Sequence, residues 1–146
     1  MKRYAQNTSV SADRSESEIR NLVQKYGAEQ FFSGATPELA FIAFRLKDRF
    51  VKITLPLARK DSNEGHPKRY VWGEDGAKRE NRQRWRALVL DVKAKLVSVD
   101  SGIRTVEQAF YYDIVMPGGK TIGQLTSPQV AEAYRTGQDI KLLPGL

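Results

Sequence analysis

Basic side chains recur at helical spacing in the middle of the chain, in a pattern that favours binding to phosphate groups. If each residue of a helix turns by about 100°, four of them fall within about 60° of one another. They are Arg79, Arg82, Arg86 and Lys93, and we call them the basic helix face. Because such side chains neutralise nucleic-acid phosphates, this face predicts contact with a polyanion. The alternative is a solvated face whose arginine stems cover apolar surface.

The segment 58–77 brings basic and aromatic residues together without any periodicity. Lys68, Arg69 and Tyr70 come just before Trp72. Aromatic rings that stack on bases contribute about 1–3 kcal/mol per base. Since a loop of this length is unusual in a compact domain, we expect a mobile loop that contacts single-stranded nucleic acid. The alternative for the two aromatic residues is that they cover an edge of the sheet.

The overall charge agrees with a polyanionic partner. The chain has 146 residues, with 24 Lys and Arg against 17 Asp and Glu, so its net charge is +7. Residues 58–95 hold most of the basic excess, whereas residues 96–146 have none. A clustered positive field favours nucleic acid. The alternative is that the charge only keeps the protein soluble.

Several kinds of reactive site are excluded by composition. With no cysteine there is no disulfide, thiolate nucleophile or Cys-based metal site. The single histidine, His66, cannot form a multi-histidine site, and we expect it to be solvated. The stretch Gly118–Thr121 resembles a phosphate loop, but position 114 is isoleucine instead of the required glycine, so we predict a hairpin turn. We predict no catalytic residue and no cofactor, while a metal-dependent enzyme with scattered carboxylate ligands stays open.

The expected location is the cytoplasm. No run approaches the roughly 18 apolar residues that a membrane span needs, and the first residues lack the apolar segment of a signal peptide. We therefore expect no membrane partner. The length predicts a single domain over residues 1–146.

The first elements that must position the basic residues are a helix and three short strands. Ser15–Glu18 is a capping-box sequence that predicts a helix start, and Gly27 predicts its end. The strands are expected at Ala28–Phe32, Leu39–Phe44 and Phe50–Leu55. The second is apolar on both faces, which indicates a central strand covered on both sides. The third has a polar solvent side. The first dozen residues are an edge strand or a loose arm.

A long helix is predicted from Lys78 to Val99. Its apolar face includes Trp85, which we expect in the core. The opposite side is unusually apolar, with Ala87, Leu90 and Ala94. We interpret it as a second packing face beneath the C-terminal helices; the alternative is a surface for self-association or a partner.

The C-terminal part is predicted to be mostly helical. The capping box Thr105–Gln108 starts a helix that we expect to reach Val115. Residues 120–125 are expected to form a short strand. Ser127 and Pro128 then start a short helix that runs to Arg135, with Gly137 as its C′ residue. The fold class is therefore α+β, with a small antiparallel sheet packed against two helices and a helical C-terminal part.

The chain resembles an uncharacterised family of small proteins encoded in bacteriophages and prophages. The resemblance covers most of the chain outside segment 58–77. It lies in Arg20–Gly27, Ile53–Leu57, Arg84–Leu96, Gly102–Phe110, Gln129–Tyr134 and Leu142–Gly145. It implies a phage-related, cytoplasmic setting, in which small proteins commonly handle nucleic acid or bind a host factor.

Two functions follow as hypotheses. The first is a non-enzymatic accessory protein that binds nucleic acid, preferably single-stranded, through the basic helix face and the basic and aromatic residues of the loop. The second is a modulator or inhibitor that binds a host protein of defence or transcription, where basic residues meet an acidic patch. A homo-oligomer is compatible with either.

Overall fold

The computed structural model of the protein describes residues 1–66 and 71–140. The helices are α1 (Ala12–Lys25), α2 (Glu74–Asp100), α3 (Val106–Ala109) and α4 (Ile122–Thr136), and the strands are β1 (Glu29–Ala35), β2 (Leu39–Leu46) and β3 (Arg49–Pro56). A single 3₁₀ turn lies at Tyr111–Asp113. The arrangement confirms the α+β class.

The three strands form an antiparallel sheet in the order β1-β2-β3, so β2 is central as predicted. Ile42 of β2 lies opposite Ser33 on one side and Ile53 on the other. The core forms on one face of the sheet, where the inward strand residues meet α1 and α2. Its largest fully buried side chains include Phe44, Phe110, Ile19, Ile42 and Leu96. Trp85 also belongs to this core, as expected.

The prediction that β2 is covered on both faces is wrong. Ala40, Ile42 and Phe44 are buried, whereas the alternate residues Phe41 and Ala43 are only half-buried. The helices in the described part of the chain pack on one face only, so the other face is open to solvent.

The start of α1 differs from the prediction. The N-cap is Ser11, whose hydroxyl accepts a hydrogen bond from the Arg14 amide at 3.2 Å. Ser15 lies one turn inside the helix and is completely buried, so it cannot form the predicted capping box. Ser11 takes this role because the helix extends back by one more turn. The end at Gly27 is confirmed by its φ of +94°, which glycine adopts readily.

The outward side of α2 is not a packing face beneath the C-terminal helices, so that interpretation is wrong. Leu90 has 47% of its surface exposed and Ala94 is exposed as well. The C-terminal segment instead turns toward the sheet, where the Val115 amide donates to the Phe50 carbonyl at 2.8 Å.

The described parts of segment 58–77 make tertiary contacts. Ala58, Trp72 and Ala77 form a second apolar cluster. The Trp72 carbonyl accepts from the Asp61 amide at 2.8 Å, and the Asn81 side chain bonds both backbone groups of Ala58. These bonds fasten the described residues to the beginning of α2.

The C-terminal part differs from the prediction in the end of α3 and the start of α4. The capping box at Thr105 is confirmed, but α3 ends at Ala109 instead of Val115 because the chain turns to pair with β3. The predicted strand at 120–125 and the helix start at Ser127 are wrong. Thr121 and Gln124 form a capping box that starts α4 earlier, and Pro128 lies inside the helix. The turn at Gly118–Gly119 and the helix end at Gly137 are as predicted.

Asp113 is a buried carboxylate beside α2. Its Oδ2 lies 3.9 Å from the Lys95 ammonium, which also pairs with Asp91 at 2.8 Å. Burial raises the pKa of Asp113 to about 6, although the charge of Lys95 opposes this. The folded protein therefore holds this proton more tightly than the unfolded chain. This carboxyl's contribution to stability falls as the pH rises from about 4 to about 6.

Replacing Asp113 tests whether its buried carboxylate destabilises the folded protein at neutral pH. Asp113→Asn should raise the free energy of unfolding at pH 7 by on the order of 1–3 kcal/mol, because the amide has no charge to bury. The gain should vanish at about pH 3, below the ordinary aspartate pKa of about 3.9, where the wild-type carboxyl is mostly protonated in both states. Urea unfolding at the two pH values measures it. An equal change at both would contradict the account.

Candidate nucleic-acid interface

The packing of α1 on α2 assembles a charged surface from both helices. Ile19 and Val23 of α1 share the core with Val89 and Val92 of α2. One turn outward, the Arg86 guanidinium of α2 lies 2.6 Å from the Glu18 carboxylate of α1. The surface therefore depends on the interhelical contact and could not be assigned from α2 alone.

Positive charge exceeds negative charge at this contact. The hydrogen bond from Arg86 lowers the pKa of Glu18 against the effect of burial, and the charges of Arg86, Lys93 and Arg14 lower it further. The charges of three cations thus act on a single carboxylate, which Arg86 contacts directly. The pKa of Arg86 is raised by the hydrogen bond to Glu18, so the guanidinium stays charged at every accessible pH.

The structure divides the basic helix face into two kinds of residue. Arg82 and Arg86 are half-buried and bonded, the former to the Thr8 carbonyl at 3.4 Å. Arg79 and Lys93 are exposed, and no ion pair or hydrogen bond holds either side chain within the described part of the chain. Both exposed cations are available to a phosphate without breaking the fold.

Of the predicted site residues in segment 58–77, the structure describes Trp72. Trp72 has only 7% of its surface exposed, and its indole N–H donates to the Glu64 carbonyl at 3.2 Å. Its ring is therefore not available to stack on a base, and the predicted stacking role does not fit. Lys68, Arg69 and Tyr70 lie outside the described residues. His66 is half-buried, with its ring centroid 4.1 Å from that of Trp72, so it is not the solvated residue we expected.

Sequence reasoning missed two residues of this surface. Arg14 of α1 is exposed beside Glu18. Tyr4 is 51% exposed, and its hydroxyl lies close enough to Arg86 to help raise the arginine pKa. Neither belongs to the periodic pattern of α2, and only tertiary packing brings them to it.

The first ten residues, which we call the arm, lie along α2 and are neither an edge strand nor loose. The Arg3 guanidinium binds the nearly buried Glu80 carboxylate at 2.8 Å and the Gln83 amide oxygen at 2.6 Å. Glu80 also accepts from Arg84 at 3.1 Å. Burial alone would raise the pKa of Glu80, but the hydrogen bonds and charges of both arginines lower it overall.

An apolar groove of about 840 Å³ opens beside this ionic cluster, between the end of β3 and α2. Its apolar lining includes Leu39, Leu55, Leu57, Ala87 and Leu88. The arginines at its rim are already bound to Glu80, so the groove offers apolar surface rather than a site for phosphate.

No group of three or more His, Asp or Glu side chains that could hold a metal ion occurs among the described residues. In the same part of the chain, no helix is long and apolar enough to cross a membrane. Comparison with protein-family models, curated proteins and solved structures found no match to this chain. The functional argument therefore depends on the geometry of these surfaces.

Glu80 is expected to be a structural anchor for the arm. Glu80→Gln should lower the free energy of unfolding by about 1–3 kcal/mol, because it leaves Arg84 without its carboxylate in a partly buried place. Limited proteolysis should then cut the arm faster. The matched control, Glu132→Gln, breaks an exposed pair with Arg135 on α4 and should leave stability unchanged. Equal effects of both variants would contradict the anchor.

Proposed function

We propose that the protein is a non-enzymatic accessory protein, of phage or prophage origin and acting in the host cytoplasm, that binds nucleic acid through the surface formed by α1 and α2. The observation that carries the proposal is that Arg79 and Lys93 of α2 are exposed and unbonded in the described structure, next to the contact of Arg86 with Glu18 at 2.6 Å. The charges of Arg14 and Lys93 also act on the Glu18 carboxylate. Arg79 adds a further exposed charge about two helical turns from Arg86, toward the N-terminus of α2.

The residues have different tasks in this mechanism. Arg79, Lys93 and Arg14 neutralise phosphates directly and release counterions, which supplies the binding free energy. Arg82 and Arg86 hold the arm and α1 in place. A guanidinium has five N–H donors, so Arg82 and Arg86 retain donors that can also bind the polyanion. None of these contacts reads a base edge, so sequence preference should be weak.

Salt dependence is the first test. With about four phosphate contacts, affinity for labelled DNA or RNA should fall by about 50- to 150-fold between 50 and 200 mM salt. Fluorescence anisotropy measures it. Absence of binding to every nucleic acid at 50 mM salt would overturn the proposal.

Charge reversal locates the surface. The double variant Arg79→Glu, Lys93→Glu should reduce affinity at least about tenfold and flatten the salt dependence, because it removes phosphate contacts. The thermal unfolding midpoint should stay unchanged, since both side chains are exposed. The matched control is Arg104→Glu, Lys120→Glu, which makes the same charge change at exposed positions elsewhere. If the control loses as much affinity, only net charge matters and this surface is not the site.

A second candidate, a protein-binding modulator, is favoured by the apolar surface of α2. Leu90 and Val97 are 47% and 42% exposed, and the groove lies on the adjacent side of the helix. Under this alternative, a host protein forms a stable complex with the wild type, Leu90→Asp abolishes it, and naked nucleic acid does not bind.

A further inference from the structure

The face of the sheet turned away from α1 and α2 displays three phenylalanine side chains. Outward residues from all three strands form this surface, which we call the open sheet face: Phe32, Gly34, Phe41, Ala43, Arg45, Phe50, Lys52 and Thr54. Phe32 and Phe50 are 59% and 49% exposed. Single exposed apolar residues are common, but three aromatic rings on one uncovered sheet face are a feature to be explained.

The register arranges these side chains in rows across the sheet. Phe32, Ala43 and Lys52 form one row, and Gly34, Phe41 and Thr54 form the next. Phe32 and Phe41 are therefore diagonal neighbours, about 7–8 Å apart at their backbones. The residues that separate these two rings, Gly34 and Ala43, are small.

Glycine at position 34 fits the ring of Phe41. A Cβ at Gly34 would lie only 2.6 Å from the nearest atom of that ring. The ring therefore packs over the backbone of β1 at Gly34 and is half-buried, while Phe32 and Phe50 stay exposed.

Two cations accompany the rings. The Lys52 ammonium lies 5.1 Å from the centroid of Phe41, and the Arg45 guanidinium carbon lies 5.8 Å from that of Phe50. Arg45 also pairs with Asp48 at 2.8 Å, and Glu29 lies opposite it. In the two rows nearest Phe41 there is no acidic residue, so Lys52 is the available positive charge at the rings.

Aromatic rings next to cations match the chemistry of an unpaired nucleotide. Each base has a π face that stacks on an aromatic ring, and its phosphate pairs with a neighbouring cation. Proteins that bind single-stranded RNA use aromatic residues on an open antiparallel sheet in this way. The bases of a duplex are already stacked on each other and cannot reach the rings. A second copy of this chain would bring two cationic faces together.

We propose that the open sheet face binds single-stranded nucleic acid, with bases stacked on Phe32, Phe41 and Phe50 and phosphate at Lys52. The inference rests on the proposed function, since it names the form of nucleic acid. It uses a different surface, because α1 and α2 pack on the opposite face of the sheet. Changing the residues of one surface should therefore leave binding at the other surface unchanged.

The test compares a labelled oligothymidine of about 15 nucleotides with a duplex of the same length, by fluorescence anisotropy. The variant is Phe32→Leu, Phe50→Leu, which keeps apolar side chains but removes two stacking rings. Its affinity for the single strand should fall at least about tenfold, with duplex affinity and salt dependence unchanged. Phe32→Tyr, Phe50→Tyr should retain wild-type affinity, since the rings remain.

The matched control is Tyr111→Leu, Tyr134→Leu, which removes two aromatic rings exposed elsewhere. It should bind the single strand like the wild type. Circular dichroism and thermal unfolding establish that each variant is folded.

The possible outcomes separate the two proposals. Unchanged single-strand affinity of the Phe32, Phe50 variant, or an equal loss for the duplex, overturns the sheet proposal alone. A loss for this variant with none for the Arg79, Lys93 variant supports the sheet and overturns the helix surface. A concentration-dependent wild-type dimer that the leucine changes dissociate would show that the face binds a second copy instead.

Discussion

Helices α1 and α2 pack against the same face of a three-stranded sheet, and the rest of the structure depends on this one-sided burial. The inward residues of the strands meet Ile19 of α1 and Val92 of α2, each completely buried, in a single core. Burial of this apolar surface is the main favourable contribution to folding. Because all of it lies on one side, the opposite side of the sheet is left open with its aromatic residues in solvent.

The same packing determines how the cations are used. Arg3, Arg84 and Arg86 bind carboxylates within the protein. Arg3 thereby holds the arm and Arg86 holds α1 against α2, while Arg84 also donates to the Pro56 carbonyl at the end of β3. These ion pairs neutralise positive charge within the protein. The number of basic residues therefore exceeds the number of cations available to an external polyanion. Arg79 and Lys93, which make no such bonds in the described structure, carry the remaining field on that side.

The sequence was sufficient for the fold class, the central strand, and the long helix with Trp85 in its core, because apolar periodicity reports these directly. The predictions from sequence were wrong where a side chain contacts a residue that is distant in the chain. Ser15 has the right local sequence for a cap, yet it is buried against Arg86 on another helix. Trp72 has the local sequence of an exposed loop residue, yet it packs in the small apolar cluster with Ala58. The aromatic face of the sheet was missed because alternation predicts two faces for each strand but not which of them stays uncovered.

The central claim is that two opposite surfaces of one small domain meet nucleic acid, and residue-by-residue mapping tests it most directly. The measurement is a titration of ¹⁵N-labelled protein with oligothymidine, followed by amide chemical shifts. The account predicts the largest changes in chemical shift at the outward positions of β1, β2 and β3 and along the exposed side of α1 and α2. The amide chemical shifts of α4 should not change. Shifts confined to α4, or to the apolar groove beside β3, would contradict it.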